Sequence, residues 1–117
     1  KQQLAAHYFE KIKNPKITLP GKPAGMTHTW QTFHVVLDES INRDETIQHL
    51  RSKNIGTNYG AQCIPAQQYY QKKYNLDSQH LFPEAYKAFK QGLAIPLYEK
   101  LNERDISYIS EELNKLD

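Results

Sequence analysis

Leu4, Tyr8 and Ile12 recur every fourth residue with Ala5 and Phe9 beside them, so the chain opens on one apolar helical stripe. Pro15 disfavours helical geometry in the residue before it, which predicts a helix end near Asn14. Pro15 to Met26, broken by Pro20, Gly21, Pro23 and Gly25, reads as a connector. From Thr29 to Leu37 the pattern alternates: Phe33, Val35 and Leu37 fall on one face and Trp30, Thr32, His34 and Val36 on the other, which predicts a strand covered on much of both faces. Asn42 with Glu45 three residues on has the form of a reciprocal helix cap, followed by Ile47 and Leu50 on the buried side and an end at Lys53-Asn54 near Gly56.

Further along, Ile55 to Tyr59 is long enough for a short strand, and Pro65 opens a predicted helix to Tyr74 with Ala66, Tyr69, Tyr70 and Tyr74 facing inward. A polar loop, Asn75 to His80, leads to a helix from Pro83 carrying Ala85, Tyr86 and Phe89, with Gly92 suited to a left-handed end. Leu93 to Leu97 is a short apolar strand, and Pro96 places it at an edge or a bulge because proline lacks a ladder donor. Asn102 caps a last helix in which Ile106, Ile109, Leu113 and Leu116 form an amphipathic stripe. This order predicts an α+β fold: a small, mainly antiparallel sheet with helices packed largely on one face.

At 117 residues the chain is one domain, with no internal repeat or low-complexity tract. No Met precedes the opening stripe and no Ser, Thr, Asp or Asn caps it, so Lys1 is expected inside a longer helix, a processed terminus being the alternative. The single cysteine, Cys63, cannot form an internal bridge and has no basic neighbour in sequence to activate it, which favours a buried thiol in a reducing, cytoplasmic setting. The longest uncharged runs, such as Thr27 to Leu37, fall far short of the ~20 apolar residues a membrane span needs, so no membrane association is expected.

The net charge of +2 is unevenly spread. Residues 1 to 22 carry five lysines against Glu10, whereas residues 99 to 117 carry six acids against Lys100, Arg104 and Lys115. The basic start suits a helix whose cations lie near its C-terminal carbonyls better than a nucleic-acid surface. The five histidines are scattered, with no spacing that would hold zinc, and no Gly-rich phosphate loop or GxSxG elbow is present. Helical spacing places Tyr70 and Tyr74 on one face, where packing is expected rather than base stacking.

Several pieces in order carry a resemblance. They are Ala5 and Tyr8 on the first helix, the Trp30 to Leu37 strand, Arg43 opening a helix to Leu50, and the turn Asn54-Ile55-Gly56-Thr57. The Pro65 to Tyr74 segment and Ile95-Pro96-Leu97 before a capped terminal helix complete the set. Together they resemble the C-terminal small domain of the DegT/StrS-type sugar aminotransferases, of the fold-type I pyridoxal-phosphate-dependent transferases. The resemblance implies that residues 1–14 end an interdomain helix, leaving an apolar patch at Leu4, Tyr8, Phe9 and Ile12 for a preceding large domain, and that residues 15–117 are the small domain.

It further implies a homodimeric enzyme that uses pyridoxal phosphate to aminate a nucleotide-linked keto-deoxysugar, with glutamate as amino donor, for cell-surface polysaccharide or deoxyaminosugar synthesis. The family's reacting lysine lies in the large domain, so this chain is expected to supply no catalytic residue and to bind no cofactor alone. Where the family commonly has a His and an aromatic after the Ile-Gly-Thr turn, this chain has Gly60 and Ala61, and its second frequent His meets Pro65, Ala66 or Gln67. Asn58, Tyr59, Gln62 and Gln67 are therefore the candidate substrate-binding residues, as neutral partners for sugar hydroxyls and a pyrimidine edge. A stand-alone binding module reusing the fold, or a sugar dehydratase of the same family, are the other readings.

Overall fold

The computed structural model describes residues 1–117. Helix α1 spans Gln2–Lys11 and stops short of Asn14, where Ile12 turns extended. The end is set by side chains as much as by Pro15. Asn114, at the far end of the chain, accepts from the Lys13 and Asn14 amides through Oδ1 (2.8 and 3.1 Å) and donates to the Lys11 carbonyl. Asn14 returns the arrangement, donating to the Leu113 and Leu116 carbonyls at 3.0 and 2.8 Å. The two asparagines so clasp α1 to the last helix, α6 (Glu103–Asn114), satisfying backbone groups that helix ends leave free.

The sheet has the order β1-β2-β3, antiparallel throughout. Strand β1, Ile17–Thr18, lies inside the expected connector and pairs with Leu37 and Val36 of β2, Phe33–Leu37. Strand β2 starts at Phe33 instead of Thr29 because Trp30 takes a left-handed conformation (φ 54°) that breaks the extended run. Strand β3, Gly92–Ile95, runs against β2 with Phe33 opposite Ile95 and His34 opposite Ala94. Of the expected Ile55 to Tyr59 strand only one rung forms, an isolated bridge between Asn58 and Ala94 that widens the β3 edge. Pro96 follows at once and offers no further donor.

The alternation along β2 sorts its side chains as expected. Phe33, Val35 and Leu37 are fully buried against α1 and α6, and the same cluster takes in Ile47 and Leu50 of α2 (Arg43–Ser52) with Ile106, Ile109 and Leu113 of α6. Burying each of the large members contributes roughly 1.5–3 kcal/mol. Tyr8 is completely enclosed there, tilted on Phe33 at 5.0 Å, and its hydroxyl donates to the Pro96 carbonyl at 2.6 Å. The α1 stripe therefore does not stand open as an apolar patch: Ala5, Tyr8 and Ile12 are buried, and Leu4 and Phe9 pack on the core.

The opposite sheet face carries His34, Val36 and Ala94 and is partly covered by α5, Pro83–Gln91, whose Glu84, Lys87 and Ala88 border a small cleft with Val36 and Thr18. Asn102 and Asp105 complete a reciprocal cap on α6 at 2.9 and 3.1 Å, whereas on α2 Asn42 accepts from the Glu45 amide without the return bond. Helix α2 ends at Lys53-Asn54 as expected, with Asn54 left-handed (φ 64°). Gly92 instead is extended (φ −74°), its small size serving another end described below.

Between these, Ile64–Ala66 forms a single 3₁₀ turn, α3 runs Gln68–Tyr74, and a one-turn α4, Ser78–Leu81, occupies the expected polar loop under an Asp77 cap. Tyr69, Tyr70 and Tyr74 do not face inward as the helical spacing suggested. They remain 63, 38 and 57% exposed, Tyr69 edge-on to Tyr70 and Tyr70 stacked on Tyr74, because α3 has no sheet beneath it.

Candidate functional site

The segment from Asn58 to Gln67 leaves the edge of the sheet and folds back over it. Asn58 is held by its bridge to Ala94, N···O 3.2 and 2.8 Å, and its own Oδ1 accepts from the Tyr59 amide at 2.8 Å. Its side-chain NH₂ is thus the end free for a ligand. Tyr59 is 43% exposed, with its ring beneath the Arg43 guanidinium at 4.4 Å. At the other end of the loop Gln67 Nε2 donates to Gln62 Oε1 at 3.4 Å, both side chains being exposed. The four residues predicted from sequence therefore form two adjacent pairs on one loop, and no hydrogen bond joins the pairs. Cys63, between them, is completely buried with a free thiol.

Two further residues shape this loop and were not singled out as site residues by the sequence pattern. Arg43 is buried, donating from Nη1 to the Phe89 and Gly92 carbonyls at 2.6 and 3.1 Å and from Nε to Asp44 at 2.8 Å. It caps the C-terminus of α5 and lies on Tyr59 at the same time. A cation in the first turn of α2, where the helix dipole favours acids, was the sequence signal that Arg43 serves something outside its own helix. His34, on β2, is the second. A Cβ at Gly60 would fall 2.3 Å from its Cδ2, so the loop backbone rests directly on the imidazole. Burial lowers the His34 pKa, opposed in part by a backbone hydrogen bond with Tyr59, and its Nε2 is buried without a partner. No imidazole stands at position 60; the nearest one lies under it.

A second cleft, about 420 Å³, opens between the end of α2, the exit of β3 and α6, lined by Asn54, Pro96, Tyr98, Asp105 and Tyr108 among others. None of Asn58, Tyr59, Gln62 and Gln67 lines it. A lysine that forms a Schiff base works as a free amine in a desolvated setting. Every lysine here is exposed except Lys11, which is half-buried and pairs with Glu103 at 3.8 Å, so the residues of this chain do not by themselves fit pyridoxal phosphate. No helix is long and apolar enough to cross a membrane.

A small antiparallel sheet between helices, with a polar loop folded over its edge, defines an α+β domain. The chain belongs to the DegT/DnrJ/EryC1/StrS aminotransferase family, whose model matches residues 1–114. It is 27% identical over 115 residues to the dTDP-3-amino-3,6-dideoxy-alpha-D-galactopyranose transaminase of Aneurinibacillus thermoaerophilus, covering 98% of this chain and 30% of that protein. It is 26% identical to the spore coat polysaccharide biosynthesis protein SpsC of Bacillus subtilis (strain 168), covering 99% of this chain and 31% of that one. Among solved structures, Spr1654 from Streptococcus pneumoniae in its PLP form superposes with a TM-score of 0.83 at 21% identity, over 97% of this chain and 29% of the other. The chain thus spans about 30% of the length of the curated relatives it matches, and the α+β architecture expected from sequence is that of these proteins.

Proposed function

We propose that this chain is the small domain of a nucleotide-sugar aminotransferase and that the Asn58 to Gln67 loop binds the sugar-nucleotide. Residues 1–14 end a helix entering from a preceding large domain, and residues 15–117 form the small domain. The family match over residues 1–114 supports the reaction class, and the transaminase relative of Aneurinibacillus thermoaerophilus supports a dideoxysugar linked to a nucleotide as substrate. The observation that carries the loop's role is its construction: the backbone at Gly60 rests on His34 and the Tyr59 ring packs on Arg43, while the neutral hydrogen-bonding groups of Asn58, Tyr59, Gln62 and Gln67 are exposed. Neutral amides and a phenol pair with hydroxyls and base edges without charge specificity, so the loop reads a sugar by shape and hydrogen bonds.

In the complete protein, a cytoplasmic homodimer taking its amino group from glutamate, pyridoxal phosphate would supply the electron sink for moving it. This domain orients the sugar and shields it, and it contributes no proton-transferring group. The product fits cell-surface polysaccharide or deoxyaminosugar synthesis. In the full-length enzyme, Asn58→Ala or Gln62→Ala should raise the KM for the sugar-nucleotide by the equivalent of about 1–3 kcal/mol where a buried partner is left unpaired. Cofactor affinity should stay unchanged. Wild-type kinetics in both variants, or loss of the cofactor, refutes the assignment.

A further inference from the structure

His34, Ala94 and Asn58 stand in one row across the sheet, joined by the β2–β3 pairing and the Asn58–Ala94 bridge. Side chains in such a row share a face. The chain after Asn58 turns back over that row, and Gly60 descends until a Cβ there would lie 2.3 Å from His34 Cδ2 and 3.2 Å from the Ala94 Cβ. From the other side Gly92 closes in: a Cβ there would lie 2.3 Å from His34 Nε2 and 2.0 Å from the Ala88 carbonyl oxygen. Gly60 is also in the left-handed region (φ 78°), which other residues resist. The imidazole is therefore held between two positions that admit only glycine, with its Nε2 sealed from solvent.

We infer that His34 is a positioning residue: its ring is the seat on which the Asn58 to Gln62 loop rests, with glycine at both positions where the backbone closes on that ring. Removing the ring leaves a void that a glycine backbone has no side chain to fill, so the loop loses its contact surface and opens locally. The Arg43 guanidinium at 4.4 Å from the Tyr59 ring is then what still holds this end of the loop. The inference rests on the proposed sugar-nucleotide role only for its consequence in catalysis.

Hydrogen exchange on this chain tests the seat directly. The Asn58 amide, bonded to the Ala94 carbonyl, and the Ala61 amide, bonded to the Tyr59 carbonyl, are the reporters, and amides of Ile109 and Leu113 within α6 are the reference. His34→Ala should speed exchange at the reporters by about tenfold with α6 unmoved. His34→Gln, which keeps a side chain of similar reach, should restore most of the protection. Gly60→Ala should also loosen the loop, and joined with His34→Ala it should loosen it by less than the product of the two single effects, because the 2.3 Å clash with the ring is gone and only the left-handed strain and the approach to Ala94 remain. Unchanged reporters in His34→Ala, an equal acceleration at every amide, or strictly multiplicative effects in the double variant overturn the inference. In the full-length enzyme, His34→Ala should raise KM for the sugar-nucleotide more than it lowers kcat. A loop that opens with KM unchanged leaves the seat standing and removes the loop from the sugar site.

Discussion

Removing the Arg43 guanidinium should be among the most damaging single changes in the molecule. The side chain is 7% exposed and donates to the Phe89 and Gly92 carbonyls, the second of them buried. These lie at the end of α5, where the last turn leaves carbonyls without intrahelical partners and where the dipole favours a cation. Hydrogen bonds from a charged donor are worth about 1.5–3 kcal/mol each, and the face of Tyr59 adds about 0.5–1 kcal/mol. The bond to Asp44 is left out of the sum because that carboxylate is exposed and screened.

Arg43→Met, which keeps the length and the apolar stem, should therefore cost about 3.5–7 kcal/mol, a large part of the ~5–15 kcal/mol that holds a domain of this size. Arg43→Lys should recover less than half, since one ammonium on a flexible stem does not reproduce the fork over two carbonyls. Urea unfolding followed by far-ultraviolet circular dichroism reads both. If Arg43→Met falls within about 1 kcal/mol of the wild type, water or backbone adjustment satisfies the two carbonyls and the capping argument fails.

The lowered pKa of His34 sets a pH dependence of definite sign: stability is full above the ordinary imidazole value of 6.5 and falls as pH drops below it toward the lower folded-state value, because the unfolded chain takes up the proton first. Urea midpoints between pH 7.5 and 5 should show this slope in the wild type and a shallower one in His34→Gln; equal slopes refute it. Tyr8→Phe keeps the ring on Phe33 but orphans the Pro96 carbonyl, and should cost about 1–2 kcal/mol in the same unfolding assay. A neutral outcome there means the carbonyl is solvated.

The elements with strong periodicity are legible in the amino-acid pattern. β2, α1, α2 and α6 lie where the spacing of apolar residues puts them, because burial of one face is what fixes those segments, and α5 starts at Pro83 as expected. The misreadings share a cause. Tyr69, Tyr70 and Tyr74 have helical spacing, but spacing alone does not say whether a partner surface exists, and α3 has none. β1 is two residues long and is defined by its pairing with β2, a tertiary fact with no local pattern. The four candidate loop residues are readable through the family resemblance and the departures from it at Gly60 and Ala61. His34 and Arg43 are not, since each sits on a different element and reaches the loop only through the fold. Gly92 shows the same limit: its position after a helix suggests a left-handed end, whereas the Ala88 carbonyl and the ring of His34 together exclude a larger residue.

The asparagine clasp between Asn14 and the end of α6 governs the order in which this domain can assemble. Its bonds join residues 99 to 103 positions apart, and the helix they secure is the one that covers Tyr8 and Ile12. A chain emerging from the ribosome has made α1 well ahead of its partner, and the lid over that helix is finished only when Leu113 and Asn114 have been added. Until then the α6 side of Tyr8 and Ile12 lacks its partner, and an unpartnered apolar face of this kind favours aggregation. Closing so long a loop costs entropy before any contact repays it, which places the docking of α6 late and makes it slow. Loss of a few residues from the C-terminal end of α6 should thus strand the nascent domain in a collapsed, aggregation-prone state, although every strand of its sheet has already been synthesised.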